Sequence, residues 1–225
     1  MVQENTKQTV VSREAWLAAR KDLLKQEKEL TRARDRLNAA RRNLPMVEMD
    51  KEYIFEGVDG KASLLDLFEG RRQLIIHHVM FDPNWEKACP GCTFHMHNLG
   101  HLPHLHEKNT TLAVVSRAPL SKLTAYKKEM GWTFPWYSSF DSDFNYDFHV
   151  TLDENITPIQ INFRDKTEHE NTVGKWDIWG TELPGVSVFL REDDRIFHTY
   201  STYMRGLDIL LFPLNYLDLT PLGRQ

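Results

Sequence analysis

An α/β fold, with a central mixed sheet flanked by helices and a long helix at the N-terminus, is predicted by three features of the sequence. Two apolar, β-branched runs, at 73–81 and 110–116, have the composition of strands buried on both faces. A helical segment follows each run, and this alternation indicates parallel strands joined by right-handed crossovers. The two cysteines of the chain, Cys89 and Cys92, lie between the first strand and its helix.

The composition of the 225-residue chain, with 41% hydrophobic and 27% charged residues, is typical of a soluble globular protein. A net charge of -4 gives no reason to expect nucleic acid or an acidic membrane as a partner. The first residues lack the apolar segment of a secretory signal, and no run reaches the ~18–20 apolar residues that span a bilayer. We therefore expect a cytoplasmic protein, in which a single Cys-x-x-Cys motif is catalytic or metal-binding rather than a structural staple.

Residues 1–50 are predicted to form a polar tail and a long charged helix. Ser12 is suited to cap this helix, and Leu44-Pro45 ends it. Positions 13–42 contain ten basic and five acidic residues. We interpret the helix as a solvated one laid across the domain, with a homodimer-forming helix as the alternative. Its narrow apolar stripe recurs every seven residues, at Trp16, Leu23, Leu30 and Leu37.

Residues 51–225 are predicted to form the sheet domain, with an insertion at about 141–183. This insertion is polar and irregular, with one short strand at 158–163. The elements before it are a strand at 53–55, helical turns at 62–68, a strand at 73–81, a helix at 93–108 divided by Pro103, a strand at 110–116, a helix at 120–130, and a strand and turn at 131–140. The elements after it are a hairpin of strands at 185–190 and 195–200 and a helix at 205–217 interrupted by Pro213.

The Cys89-Pro-Gly-Cys92 motif, placed after a strand and before a helix, has the layout of a thioredoxin-type redox site. Unpaired N–H groups and the positive end of the macrodipole at the helix start favour a thiolate, so Cys89 is predicted to be the nucleophile. Cys92, one turn further along and more shielded, is predicted to resolve the mixed disulfide. A disulfide-containing protein or small molecule is then the substrate, and a separate reductant restores the dithiol.

Pro184 is the third predicted site residue. A thioredoxin-type site usually has a backbone loop facing the thiols, with a cis-proline just before the third strand of the sheet. Leu183-Pro184 directly precedes the strand at 185–190. We therefore predict a cis bond here, with Pro184 facing the thiols.

Other functions for the motif remain open. A Cys-x-x-Cys motif is also half of a zinc site, so a metal-binding protein or metallochaperone is the main alternative, and an interaction module without turnover is a third. A thiol peroxidase of the same fold has a hydroxyl residue three positions before its cysteine, where this chain has Glu86, which disfavours that activity. No cofactor is predicted. Five of the ten histidines lie in the segment 93–108 directly after the motif: His95, His97, His101, His104 and His106.

Several long motifs surround the dithiol. They lie at 80–85, 89–92, 115–120 and 130–136, and further segments lie at 142–145, 197–203, 205–208 and 216–221. Together they resemble the DUF899 family over roughly residues 12–223. The resemblance implies a thioredoxin-like fold and a dithiol–disulfide oxidoreductase, with the redox roles on Cys89 and Cys92.

Overall fold

A computed structural model of the protein describes residues 8–177 and 180–224. Residues 1–7 of the predicted polar tail, and residues 178–179 of the predicted insertion, lie outside this description. The chain divides into two compact units, one containing the N-terminal helix and the residues from Leu217 onward, the other being Met46–Tyr216.

The N-terminal helix, α1, spans Arg13–Arg42. Ser12 caps it as predicted, since its hydroxyl oxygen accepts a hydrogen bond of 3.2 Å from the N–H of Ala15. Arg41 and Arg42 lie in the last turn, where their positive charges interact favourably with the negative end of the helix macrodipole. The structure describes every residue of α1, and none of them is buried.

The main sheet of the second unit is built from the strands β1 (Val47–Glu48), β2 (Ile54–Gly57), β3 (Gly60–Ser63), β4 (Gln73–His78), β5 (Thr110–Ser116), β6 (Trp136–Ser138), β9 (Gly185–Glu192) and β10 (Arg195–Tyr203). In the described part of this unit, these eight strands pair in one mixed sheet, in the order β1-β10-β9-β4-β5-β6-β2-β3. Strand β4 is parallel to β5, β5 is parallel to β6, and β9 of the β9–β10 hairpin is antiparallel to β4. A parallel pair extended by an antiparallel hairpin, in the order β10-β9-β4-β5, is the thioredoxin-like arrangement, so the predicted fold is confirmed.

The helices of this unit are α2 (Pro90–His97), α3 (Pro103–His106), α4 (Leu120–Met130), α5 (Phe144–Asp147), α6 (Lys166–Thr172) and α7 (Phe212–Leu217), with 3-10 helices at Asp66–Phe68 and Met204–Leu210. The predicted closing helix at 205–217 is wrong in detail. Its first half is the 3-10 helix, the break falls at Leu211, and Pro213 lies in the first turn of α7. A proline in that turn removes an N–H that has no helical partner, so it does not interrupt the helix.

The insertion contains more regular structure than the sequence predicted. A two-stranded hairpin of β7 (Gln160–Ile161) and β8 (Arg164–Asp165) leads directly into α6, whose start is capped by the Asp165 carboxylate. The hairpin turn places Asn162 and Phe163 at positive φ, 49° and 67°. Turns of this kind normally carry glycine, and its absence explains why the hairpin was missed.

Buried side chains form one hydrophobic cluster on each face of the sheet. The first contains Phe55, Phe68, Phe144, Phe148 and Phe189. The second packs α2 and α4 against the sheet and includes one of the two cysteines; among its members are Phe81, Cys92, Met96, Leu123 and Trp136. Within residues 8–177 and 180–224, none of the helices combines the length and apolar composition needed to cross a bilayer.

Candidate dithiol site

The dithiol lies where the loop after β4 enters α2. The N–H of Cys89 donates to the carbonyl of Met80 at 3.0 Å, which ties the start of the helix to the end of the strand. Pro90 occupies the first helical position, where no N–H is required. Thr93 donates both its N–H (2.9 Å) and its hydroxyl (3.0 Å) to the Cys89 carbonyl, so the first turn is firmly closed.

The two thiols differ in their surroundings. Both are free, but Cys89 is half-buried, whereas Cys92 is only 3% exposed and belongs to the cluster beneath α2. The sulfur of Cys92 accepts a hydrogen bond of 3.4 Å from the N–H of Met80. One backbone segment, at Met80, therefore holds both ends of the motif, and Cys89 is the more accessible of the two thiols.

The pKa values of the two thiols are displaced in opposite directions. Hydrogen bonding from the Cys92 thiol lowers the pKa of Cys89 to about 5; burial opposes this, and the N–H groups of Cys92 and Gly91 add to it. The same sulfur–sulfur hydrogen bond, followed by burial, raises the pKa of Cys92 well above its ordinary value. At neutral pH, Cys89 is therefore the thiolate and Cys92 the thiol.

We expect alkylation of Cys89 by iodoacetamide to follow a transition near pH 5, because only the thiolate reacts. Cys92 should stay unmodified at neutral pH. Mass spectrometry of the two cysteines after timed exposure gives both rates. If the alkylation rate of Cys89 instead rises near pH about 8.5, the ordinary pKa of a thiol, the opposite displacement of the two pKa values would be contradicted.

A cluster of charged residues, not singled out from the sequence, lies at the same end of the sheet. Its one buried member among Asp82, Arg117 and Glu182 is Glu182, which is 1% exposed. Oε1 of Glu182 accepts a hydrogen bond from Nε of Arg117 (2.9 Å) and forms an ion pair with Nη2 (2.7 Å), and Thr151 donates its hydroxyl at 3.1 Å. Arg117 also pairs with Asp82. Burial raises the pKa of Glu182, with the Arg117 charge acting in the opposite direction.

The register of the sheet explains why this cluster lies close to the dithiol. His78 of β4 is paired with Gly185 of β9, so the residues that follow β4 run beside those that precede β9. Glu182 is close enough for its charge to contribute to the raised pKa of Cys92. One feature of the sequence could have indicated this cluster. Asp82 and Arg117 come just after the parallel strands β4 and β5, and the carboxyl ends of these strands meet at one edge of the sheet.

Pro184 lies at this edge too, in the segment that enters β9, and is half-buried. The Leu183–Pro184 bond is trans, so the prediction of a cis-proline is wrong. Leu183 donates its N–H to the carbonyl of Val150 at 2.8 Å and packs in the small core of the insertion. The insertion thus anchors the segment that enters β9, and the analogy with thioredoxin-type sites did not include such an insertion. A role for Pro184 in the reaction stays a prediction.

The histidines after the motif have different contact partners. His95 stacks edge-on against buried His77 of β4, at 5.5 Å between ring centroids. His97 accepts a hydrogen bond from the indole N–H of Trp132, and His101 contacts His104. Among the residues that the structure describes, no group of three or more His, Cys, Asp or Glu side chains is arranged to hold a metal ion.

Comparisons with known proteins assign a family. The model of the family described as "Bacterial protein of unknown function (DUF899)" matches residues 5–225. A search of curated protein sequences gave no match. A mutant of peroxiredoxin Q from Xanthomonas campestris is a similar solved structure, with 16% identity, a TM-score of 0.47, and coverage of 72% of this chain and 90% of that one.

Two further solved structures are similar at low identity. A mutant of PrxQ from Xylella fastidiosa has 13% identity and a TM-score of 0.47, with 77% of this chain and 96% of that one covered. A putative protein disulfide isomerase from Bacteroides thetaiotaomicron has 24% identity and a TM-score of 0.31, with 42% and 60% covered. Identities of this size establish no correspondence between individual residues.

Proposed function

The chain belongs to the DUF899 family of bacterial proteins of unknown function, and we propose from its own dithiol that it is a thiol–disulfide oxidoreductase. The observation that carries this proposal is the half-buried Cys89 thiolate, hydrogen-bonded to the buried Cys92 thiol at the start of α2. A low-pKa thiolate with a neighbouring protonated thiol is the arrangement that disulfide exchange requires.

The reaction proceeds in two exchanges. The Cys89 thiolate attacks one sulfur of the substrate disulfide, the substrate S–S bond breaks, and one substrate thiolate leaves. Cys92 then loses its proton, which passes to a departing thiolate or to water, and attacks the Cys89 sulfur of the mixed disulfide. The second substrate thiol leaves and a Cys89–Cys92 bond remains. Two electrons have passed from the protein dithiol to the substrate, and an external dithiol reductant returns them.

The different burial of the two thiols supports this order of steps. Cys89 is half-buried at the protein surface, while the Cys92 sulfur lies within the cluster beneath α2 and accepts a hydrogen bond from Met80. A bulky disulfide therefore meets Cys89 first. The buried resolving thiol is reached only by the Cys89 sulfur, one helical turn away, which favours release of the substrate over a second external attack.

Oxidation of the reduced protein by different oxidants tests the proposal. An equimolar aromatic disulfide that releases a coloured thiolate should yield two thiolates per protein molecule and an intact mass lowered by two hydrogens. Hydrogen peroxide at the same concentration should act more slowly. Oxidation by peroxide that outpaces every disulfide tried, or a dithiol that stays reduced with all of them, would overturn the assignment.

A further inference from the structure

Helix α1 carries an apolar stripe whose four members are all exposed in the structure. The exposed fractions are 49% for Trp16, 49% for Leu23, 72% for Leu30 and 51% for Leu37. A row of exposed large apolar residues along one face of a 30-residue helix, as opposed to singly scattered ones, is the kind of surface that marks an interaction site. The redox chemistry proposed above makes no use of this surface.

The spacing of the stripe identifies the kind of partner. The four residues are separated by seven positions each time. In a straight α-helix, residues seven positions apart are offset by about 20° around the helix axis. A strict seven-residue repeat therefore keeps to one face only when the helix coils around another helix. The repeat therefore points to a helical partner rather than to the flat face of a sheet.

Smaller residues accompany most of the large ones. Three positions after each large residue come Ala19, Gln26, Ala33 and Ala40, and all four are exposed. The sequence of α1 thus presents two columns along a single seam, one of large apolar residues and one that is alanine at three of its four positions. When two such helices run antiparallel, each large residue meets a residue of the other column on the second helix: Trp16 meets Ala40, Leu23 meets Ala33, Leu30 meets Gln26 and Leu37 meets Ala19.

We propose that α1 pairs with α1 of a second copy of this chain, as an antiparallel two-helix interface. The large-to-small match is self-complementary, which is the property that a two-fold symmetric contact between identical chains requires. The partner is therefore a second copy, because the same residues supply both sides of every layer. In three of the four layers, the Leu or Trp fills the space that the facing alanine leaves.

The size and charge of the interface set its strength. A 30-residue helix is about 45 Å long and about 10 Å across, so the pair covers on the order of 900 Å² in total. Stable interfaces bury about 1,200–2,000 Å², which makes this dimer weak and reversible. Ten basic and five acidic residues give each α1 a net charge of +5 (10 − 5), so repulsion opposes association and added salt should strengthen it.

Sedimentation velocity of the full chain tests the interface. Over about a hundredfold range of micromolar concentration, the wild type should pass from monomer to dimer, and further toward dimer at higher salt. Leu23→Glu places a charge in the seam and should remain monomeric throughout. Leu24→Glu makes the same chemical change one residue away, off the seam, and should behave like the wild type. Glutamate is a good helix former, and circular dichroism confirms that each variant keeps its helix.

The direction of pairing is tested separately by distance. A spin label on Arg42→Cys, in a chain with Cys89 and Cys92 replaced by serine, should give two labels about 42 Å apart in the antiparallel dimer and about 20 Å apart in a parallel one. A wild type that is monomeric at every concentration would overturn the proposal. Equal disruption by Leu24→Glu and Leu23→Glu would do the same.

Discussion

Replacement of Cys89 by serine should abolish disulfide exchange, with a loss on the order of 10³-fold or more, because a serine hydroxyl is not ionised near neutral pH. Replacement of Cys92 should have a different outcome. Cys89 still attacks, but no second thiol follows, so the reaction stops at a mixed disulfide. Non-reducing electrophoresis and intact mass spectrometry should show a stable adduct on Cys89 in the Cys92 variant and none in the Cys89 variant.

The buried position of Cys92 calls for a control on folding. Serine at a site that is 3% exposed buries a hydroxyl beside Met96 and Phe81, whereas Cys92→Ala keeps the position apolar. Both variants should trap the same adduct if the missing thiol is the cause. Efficient adduct formation at Cys92 in the Cys89 variant would mean that the two roles are reversed.

Part of the site could be predicted because its chemistry is local in sequence. The largest cause of the lowered pKa of Cys89 is the hydrogen bond from the Cys92 thiol, which is only one helical turn away. The N–H groups of Cys92 and Gly91 at the helix start lower the pKa further, and they are local to the motif too. The conformation at Pro184 could not be predicted in this way, because it depends on how Leu183 packs in the insertion.

The charged cluster could not be predicted because its members are far apart in the chain. Asp82, Arg117 and Glu182 come from three separate connections, and only the pairing of β4 with β5 and β9 brings them together. No local pattern distinguishes Glu182 from the many exposed glutamates. Its significance appears only with its burial and its charge acting on Cys92.

The same distinction applies to the fold. The bounds of β5 (Thr110–Ser116) and α4 (Leu120–Met130) match the prediction, because a fully buried apolar run marks the strand, and Pro119 and Gly131 punctuate the helix. Strands of two residues, such as β7 and β8, have no periodicity to detect. Their stability comes from packing of Ile161 with Leu152 and Leu183, which are distant in sequence.

Two buried histidines of β4, adjacent in sequence, project to opposite faces of the sheet. His77 is 3% exposed and contacts His95 of α2; His78 is 1% exposed and stacks on Phe144. Among the described residues, Nε2 of His77 and Nδ1 of His78 have no hydrogen-bond partner. Burial, with a smaller contribution from neighbouring histidines, lowers the pKa of each to about 3.

These two histidines should make the protein sensitive to acid. Above pH about 6.5, both are neutral whether the chain is folded or unfolded, and they give no pH dependence. Below that value the unfolded chain takes up protons that the folded chain refuses until pH about 3. The free energy of unfolding should therefore fall by about 1.4 kcal/mol per pH unit for each histidine. By pH about 4.5 the two together remove about 5 kcal/mol, comparable to the whole stability of many domains.

Urea unfolding between pH about 7 and pH about 4.5 measures this loss. His77→Leu removes one of these two histidines and suits the buried position between β4 and α2, so the slope against pH should fall by about 1.4 kcal/mol per pH unit. His104→Leu changes an exposed histidine of α3 and is the matched control, whose slope should equal that of the wild type. If the His77 and His104 variants have the same slope, the acid sensitivity does not arise from the buried histidine, and His77 must be solvated or protonated in the folded protein. A reduced slope for His77→Leu alone would show that the sheet beneath the dithiol helix stays folded only while its histidines are neutral.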